Sequence, residues 1–356
     1  MDILDYLKKL EDNGYEAYIV GGYVRDKLLN IESSDIDITT NAKPKEVSNI
    51  FDTKAKDNLG VINIKTDKYN IDITTFRKES HYIGHKPKKL AYVKDLKTDL
   101  LRRDFTINTI CLNSKGDIID LLNGQKDLEK KIIKSVLKPS KKFKEDPLRM
   151  LRALRFAIVY NFKINDEELI FILNNKKLFN NISYDRKKQE IGKILISNNV
   201  INGLMLLKTL GLTEVLEIDY DKIVKVNDLI GMWAQIDFSD NYSFTKLEKE
   251  RISNIREIVA SKRVDKLTIF KYGYYDSFIA SQILKISKET IAKLNSEMVL
   301  HSKDELDIDS LEIKKLMPED FIEIDKVKEK LVEEILEGKL SNKKGILKKY
   351  IIKNWK

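Results

Sequence analysis

The stretch from Ala17 to Thr40, AYIVGGYVRDKLLNIESSDIDITT, constrains this chain more than any other. Ala17 to Val20 reads as a short buried strand stopped by Gly21-Gly22. Tyr23 to Leu29 reads as a helix, and Ile36 to Thr39 as a second strand. Strand side chains alternate with period two, so Asp35 and Asp37 share one face while Ile36 and Ile38 point into a core. Two carboxylates on one face repel unless a cation lies between them. A hard divalent ion such as Mg²⁺ takes that place when a substrate phosphate completes its shell. The paired glycines Gly21 and Gly22 let a phosphate approach backbone N–H groups at a helix start, and Arg25 lies one turn in for a second contact. A Gly-Gly or a D-x-D alone is weak. The ordered set of strand, GG-x-V-R-D, helix and S-D-x-D on a strand is far more specific.

Downstream, Asn41 to Pro44 opens a helix running to about Phe51. Asn58-Leu59-Gly60 turns into VINIKT, and Asp67 to Asn70 turns into IDITTF, two antiparallel strands. In the second, Asp72 alternates with Ile71 and Ile73 and points away from the core. It is either a solvated strand residue or a third carboxylate beside Asp35 and Asp37. From Arg77 to Lys97 the text is polar, basic and aromatic, and Gly84 and Pro87 predict a mobile loop rather than a regular element. His81 and His85 have helical i, i+4 spacing, but Gly84 intervenes and no third ligand type follows, which favours base or phosphate contact over a metal. Arg102-Arg103-Asp104 precedes a run that buries Phe105, Ile107 and Ile110, and at least one of the two arginines is expected on a triphosphate.

Gly116 to Val136 reads as a strand, a turn at Asn123-Gly124 and a short charged helix; Leu137 to Lys144 reads as a lysine-rich linker. In FKEDPLRMLRALRFA, Pro147 belongs in a first helical turn with Asp146 near the N-cap. Pro147, Leu151, Leu154 and Ile158 then form one apolar stripe, and Asp146, Arg149 and Arg152 fan out on the other side. Arg149, Arg152 and Arg155 crowd a segment of a chain that otherwise prefers lysine, which suggests a need for planar, bidentate donors. An Asp beside an Arg has the chemistry to read a base edge, one accepting from an amino group and the other donating to a ring atom. From about Lys163 the periodicity is helical throughout. Tyr272, Tyr274 and Tyr275 fit either a core or a base-stacking surface. Lys339 to Lys356 fits either a solvated helix or one laying lysines along a phosphate backbone.

Composition narrows the class. The 356 residues suggest two to three domains, and nothing reads as a transmembrane run or a secretory signal. Cys111 is the single cysteine and sits in an apolar run. A disulfide framework and a Cys-based zinc site within one chain are excluded, and a reducing cytoplasm fits. The net charge of +9 favours a polyanionic partner.

YIVGGYVRD with SDIDITT, then IDITTFR, RRDFTIN and EDPLRMLRALRF follow the order and spacing of class II tRNA nucleotidyltransferases. The chain resembles this family of CCA-adding enzymes and bacterial poly(A) polymerases over roughly residues 18–157, and more weakly through ISYDRKKQEIG. The resemblance implies an α+β protein: a polymerase-β-like nucleotidyltransferase head with a mixed sheet (1–137), then an all-helical neck (138–195), body (196–270) and tRNA-binding tail (271–356). It implies Mg²⁺ on Asp35 and Asp37, with Asp72 as the third catalytic carboxylate. Gly21, Gly22, Arg25, Arg102, Arg103 and Asn108 would serve the nucleotide. Asp146 and Arg149 would read the Watson–Crick edge of CTP or ATP, supported by Arg152 and Arg155. The implied activity is template-free addition of C, C and A to the tRNA 3′ end in the cytoplasm. CC-only, A-only and poly(A) addition, and a non-catalytic RNA-binding relative, are the alternatives. A dead relative should have lost Asp35, Asp37 or Arg149, and all three are present. Two positions depart from the family pattern: Thr109 stands where alanine is usual, and the segment after Phe76 lacks the more acidic, Arg-rich string of many CCA enzymes.

Overall fold

The computed structural model describes residues 2–53, 61–84, 86–317 and 323–355. His85 and the turn at Asn58-Leu59-Gly60 lie outside the described residues. The chain separates into two compact units, Met1–Glu217 and Ile218–Lys356. The four-part division expected from the sequence is finer than this.

In the first unit, Asp2 caps α1 (Ile3–Glu11) by accepting from the Ile3 N–H, and Ile3, Tyr6, Leu7 and Leu10 form the buried stripe. A six-stranded mixed sheet follows, in the order β3-β4-β2-β1-β7-β8. Its strands are β1 (Ala17–Val20), β2 (Asp35–Thr40), β3 (Ile62–Lys65), β4 (Asn70–Thr75), β7 (Cys111–Leu112) and β8 (Ile118–Ile119). β2 and β4 run parallel while the other neighbours are antiparallel. The alternation holds: Ile36, Ile38, Ile71 and Ile73 are buried, and Asp35 and Asp37 stay open to solvent. Helices α2 (Gly22–Leu28) and α3 (Pro44–Phe51) lie where the sequence places them, within a few residues. Cys111 is fully buried and unpaired.

Two segments differ from expectation. Arg77–Lys97 is not a loop: β5 (Arg77–Ile83) and β6 (Lys86–Tyr92) form an antiparallel hairpin, followed by α4 from Leu96 to Arg102. Gly84 supplies φ +60 at the reversal, which is the geometry a tight hairpin turn asks of glycine. Pro87 is tolerated because each strand of a two-stranded ribbon has a free edge where a missing N–H breaks no ladder bond. The lysine-rich linker also folds. After α5 (Gly124–Glu129), α6 (Pro139–Glu145) starts on Pro139 and buries Phe143 and Lys142 completely. The Lys142 ammonium donates to the Arg102 carbonyl at 3.0 Å and pairs with Glu145 at 3.0 Å, so a buried charge fastens α6 to the end of α4.

Helix α7 (Leu148–Tyr160) buries the stripe of Leu151, Leu154 and Ile158. It also buries Met150, Ala153, Phe156 and Arg155, so it has no fully solvated face and the expected outward fan of arginines is instead packed against protein. Beyond α8 (Asp166–Asn174), α9 (Tyr184–Leu195) packs along α7.

Among the described residues, the regular structure of the second unit is helical apart from the two-residue pairing of Ile218–Asp219 with Asp237–Phe238. Its core gathers Leu300, Ile313, Val327, Leu331, Leu347 and Ile351. The helix Lys266–Ile283 is kinked at Gly273, with Tyr274 and Tyr275 largely exposed beside the kink. Tyr272, half-buried, donates to Glu257 at 2.9 Å, Tyr275 is bonded to Asp228 and Tyr274 stacks on Phe278, so each ring is anchored to a neighbour. Among the described residues, no helix is long and apolar enough to cross a membrane.

Candidate active site

The carboxylate face comes from strand register. In the parallel pair β2/β4, Asp37 lies opposite Asp72 and Asp35 opposite Asn70. Asp72 accepts from the Asn63 amide at 2.8 Å, and the Asn70 amide reaches Asp35 at 3.4 Å. Among the described residues, the donors that orient these two acids are neutral amides. Asp37 sits next to the β1–α2 turn, where Gly21 takes φ +84. A Cβ on Gly21 would stand 3.2 Å from Asp37 Oδ2 and 3.3 Å from Arg103 Nη1, so only a glycine leaves this cradle open. The protein crowded around Asp37 raises its carboxyl pKa. Arg103 opposes that rise, while Asp72 and Asp35 add to it.

Beside this face lies a cleft of about 510 Å³. It is lined by Gly21, Gly22, Arg25, Asp37, Arg102, Arg103, Asn108, Asp146, Arg149, Arg152 and Arg155. Every nucleotide-binding candidate from the sequence thus borders one space; Asp35 and Asp72 lie outside its lining, on the strand face next to Asp37. The positioning network is dense. Asp99, fully buried on α4, accepts from Thr39 Oγ1 at 3.1 Å, the Arg77 backbone N–H at 3.1 Å and Arg102 Nε at 2.7 Å. Burial would raise Asp99, but Arg102 and Arg103 outweigh it and keep its pKa low. Arg103 Nε is buried without a hydrogen-bond partner, which marks this guanidinium as the donor with capacity to spare for an anion.

Arg25, also buried, has all three of its nitrogens engaged by contrast. It donates to Asn108 Oδ1 at 2.6 Å, Asp26 at 2.9 Å and Tyr160 Oη at 2.6 Å, and stacks on Phe156 and Tyr160. Asn108 passes the chain on to Asp104 at 3.0 Å, and Arg152 Nε donates to the same Asp104 at 2.8 Å. Burial pushes Asp104 up, yet Arg152 and Asn108 prevail and hold it well below the usual carboxylate range. Arg149 donates to Glu145 at 2.8 Å and to the Arg102 carbonyl at 3.1 Å; Arg155 pairs with Glu190. Asp146 is gripped by Arg186 at 2.7 and 3.0 Å. Thr109, the departure from the family pattern, is buried with its hydroxyl donating to the Thr106 carbonyl at 2.7 Å, so it costs no unsatisfied polar group.

Sequence reasoning missed the partners. Glu79, Asp99, Glu145, Arg186 and Glu190 hold the predicted arginines and acid in place. Glu79 has the clearest role: Arg77 and Tyr82 of its own strand donate to it at 2.7 and 2.9 Å, and its ion pair with Arg102 at 3.7 Å ties the hairpin to the end of α4 at the cleft. Arg186, an arginine inside the lysine-rich string YDRKK, carried the one available signal.

The residues present fit a divalent cation bound together with a phosphate. Asp37 and its neighbours form an all-oxygen donor set, and the crowding of protein with Asp72 and Asp35 raises the Asp37 carboxyl pKa although Arg103 opposes it. Among the described residues, no group of three or more His, Cys, Asp or Glu gathers tightly enough to hold an ion by itself. Substrate oxygens are the natural completion of such a shell.

Residues 17–134 match the family model described as the Poly A polymerase head domain, and residues 161–221 match the probable RNA and SrmB-binding site of polymerase A. The CCA-adding enzyme of Lactococcus lactis subsp. lactis (strain IL1403) is 31% identical over 377 residues, covering 96% of this chain and 94% of that one. The CCA-adding enzyme of Limosilactobacillus reuteri (strain DSM 20016) is 43% identical over 201 residues; that match spans 56% of this chain and half the length of the relative. The fold superposes on the crystal structure of the Bacillus stearothermophilus CCA-adding enzyme in complex with CTP with a TM-score of 0.86, at 22% identity, over 98% of this chain and 96% of that one. With sequence identity carried over nearly the whole length of both chains, this protein belongs to the CCA-adding enzyme family of class II tRNA nucleotidyltransferases.

Proposed function

We propose that this chain adds C, C and A to the 3′ end of tRNA from CTP and ATP, without a nucleic-acid template, releasing diphosphate. The observation that carries the reading is the convergence of the β2/β4 carboxylates with one cleft bordered by all the arginine and glycine candidates. The reaction joins the tRNA 3′-oxygen to the α-phosphorus of the nucleotide and breaks the bond to the leaving diphosphate, and the hydroxyl proton passes to solvent water. Asp35 and Asp37 would hold Mg²⁺, which when bound supplies Lewis-acid activation of the attacking hydroxyl and neutralises triphosphate charge. Asp72 accepts a hydrogen bond from that hydroxyl. Gly21 and Gly22 admit the triphosphate to the start of α2, and Arg103 and Arg102 contact its oxygens. Arg25 and Asn108 brace the wall through their mutual bond. Asp146 accepts from the amino group of C or A, and Arg149 donates to the ring nitrogen beside it, with Arg152 and Arg155 behind them.

In this reading the head occupies 1–137, the neck 138–195, the body 196–270 and the tRNA-binding tail 271–356. The buried, unpaired Cys111 suits work in the cytoplasm. The test is incubation with Mg²⁺ and a tRNA transcript lacking its 3′ end, given CTP, ATP or both, with products resolved to one nucleotide. Two additions with CTP and a third only with ATP are expected. Arrest after CC in the presence of ATP would make it a CC-adding enzyme, long A tails a poly(A) polymerase, and no extension would return it to an RNA-binding role.

A further inference from the structure

Helix α9 lies along α7 and offers it two side chains one turn apart, Arg186 and Glu190. Glu190 takes Arg155 and lies 3.6 Å from Arg152, while Arg186 takes Asp146, so one face of α9 holds two arginines of α7 and the acid just before the helix. The Arg186–Asp146 contact is a fork-to-fork pair, Nη1 to Oδ1 at 3.0 Å and Nη2 to Oδ2 at 2.7 Å. The Leu148 backbone N–H adds a third donor to Oδ1 at 3.1 Å. Both side chains border the cleft together with Arg149.

A carboxylate has about four lone-pair sites. Three are taken here, and the one that remains lies on Oδ2. Cytosine and adenine present an amino donor at the position where uracil and guanine present a carbonyl oxygen. A carboxylate held by a guanidinium fork meets the first pair with attraction and the second with lone-pair repulsion. A single unfilled acceptor site also fixes where the amino group must lie. Resting on the base-reading role given above to Asp146, we propose that Arg186 is the positioning residue that makes this site admit amino-bearing bases and refuse uracil and guanine. Lysine in its place keeps the charge but loses the planar two-point grip.

The experiment uses the full-length chain, Mg²⁺ and the tRNA transcript lacking its 3′ end, and measures kcat/KM for CTP and for UTP. Removing Arg186 (R186A) should lower the CTP-over-UTP ratio by about 10- to 100-fold, the range of one good bidentate contact, while KM for the tRNA stays as in the wild type. R186K should give an intermediate ratio. A folded, active R186A whose ratio stays within about twofold of the wild type, or whose rates fall equally for both nucleotides, overturns the proposal and leaves Arg186 a structural ion pair. Should R186A fail to fold by circular dichroism, R186K and R186Q decide by the same ratio. Failure of the parent reading is visible separately: a wild type that transfers no nucleotide, or transfers UMP as readily as CMP, overturns the reading of the cleft whatever the variants do.

Discussion

The strand face and the helix edge of the first unit both carry acids, and they treat them in opposite ways. On β2 and β4, Asp35 and Asp72 meet asparagine amides among the described residues, and the crowding around Asp37 raises its pKa. Around α7, Asp104 is held by Arg152, Asp146 by Arg186, Glu145 by Arg149 and Lys142, and Glu190 by Arg155. On the reading proposed above, the first arrangement is the one an added cation would complete. The second is already compensated and rigid. A site that must bind a diffusible ion leaves charge unpaired, whereas a site that must present donors and acceptors at fixed positions pairs every charge within the protein.

The comparison breaks most easily at Asp37. Asp37→Ala should lower nucleotide transfer at least about 10⁴-fold, roughly 5 kcal/mol of barrier, while tRNA binding and thermal stability stay near wild type. Retained activity would remove the strand face from the chemistry. On the compensated side the loss should appear as stability. Asp104→Ala strands Arg152 and Asn108 and should cost about 3–5 kcal/mol in urea unfolding. Because the folded pKa of Asp104 is depressed, its contribution is complete above the unfolded value near 3.9 and lost as pH falls below it, so the two proteins should converge in acid.

Gly21→Ala sharpens the comparison from the side of the cradle. The positive φ should cost about 1–3 kcal/mol of stability. The added methyl at Asp37 and Arg103 should raise KM for the nucleotide, and an unchanged KM would argue against triphosphate approach at this turn. The smallest effect is expected at Lys142, whose burial, with Arg149 nearby, pushes its pKa down to about 8. Between about 8 and 10 the unfolded chain binds more protons there than the folded one, so wild-type stability should rise with pH relative to Lys142→Met, by about 2 kcal/mol or less. A flat difference would show that Lys142 titrates as it does when unfolded.

Several features were legible without coordinates because they depend on local periodicity alone. Alternation in SDIDITT set Asp35 and Asp37 on one face, and the Leu151–Leu154–Ile158 stripe predicted the buried side of α7. The misreadings came where composition stood in for contact. Gly84 and Pro87 suggested a loop, yet pairing to β5 folds that segment as a hairpin, and the lysines of 137–144 suggested a linker although Lys142 is wholly buried. Lysine's frequency in a segment says nothing of which one finds a carbonyl to bind.

What the sequence by itself determined is the set of chemical groups: the D-x-D pair, the paired glycines, the clustered arginines and the family to which their order belongs. What only the tertiary structure decided is which of those charges are compensated. Asp72 comes opposite Asp37 through strand register, and Asp146 meets Arg186 forty residues away through the packing of α9 on α7. The physical reason is the range of the forces. Side-chain alternation and helical periodicity act over a few residues and are written along the chain, whereas ion pairing acts through space and is set by which elements pack together.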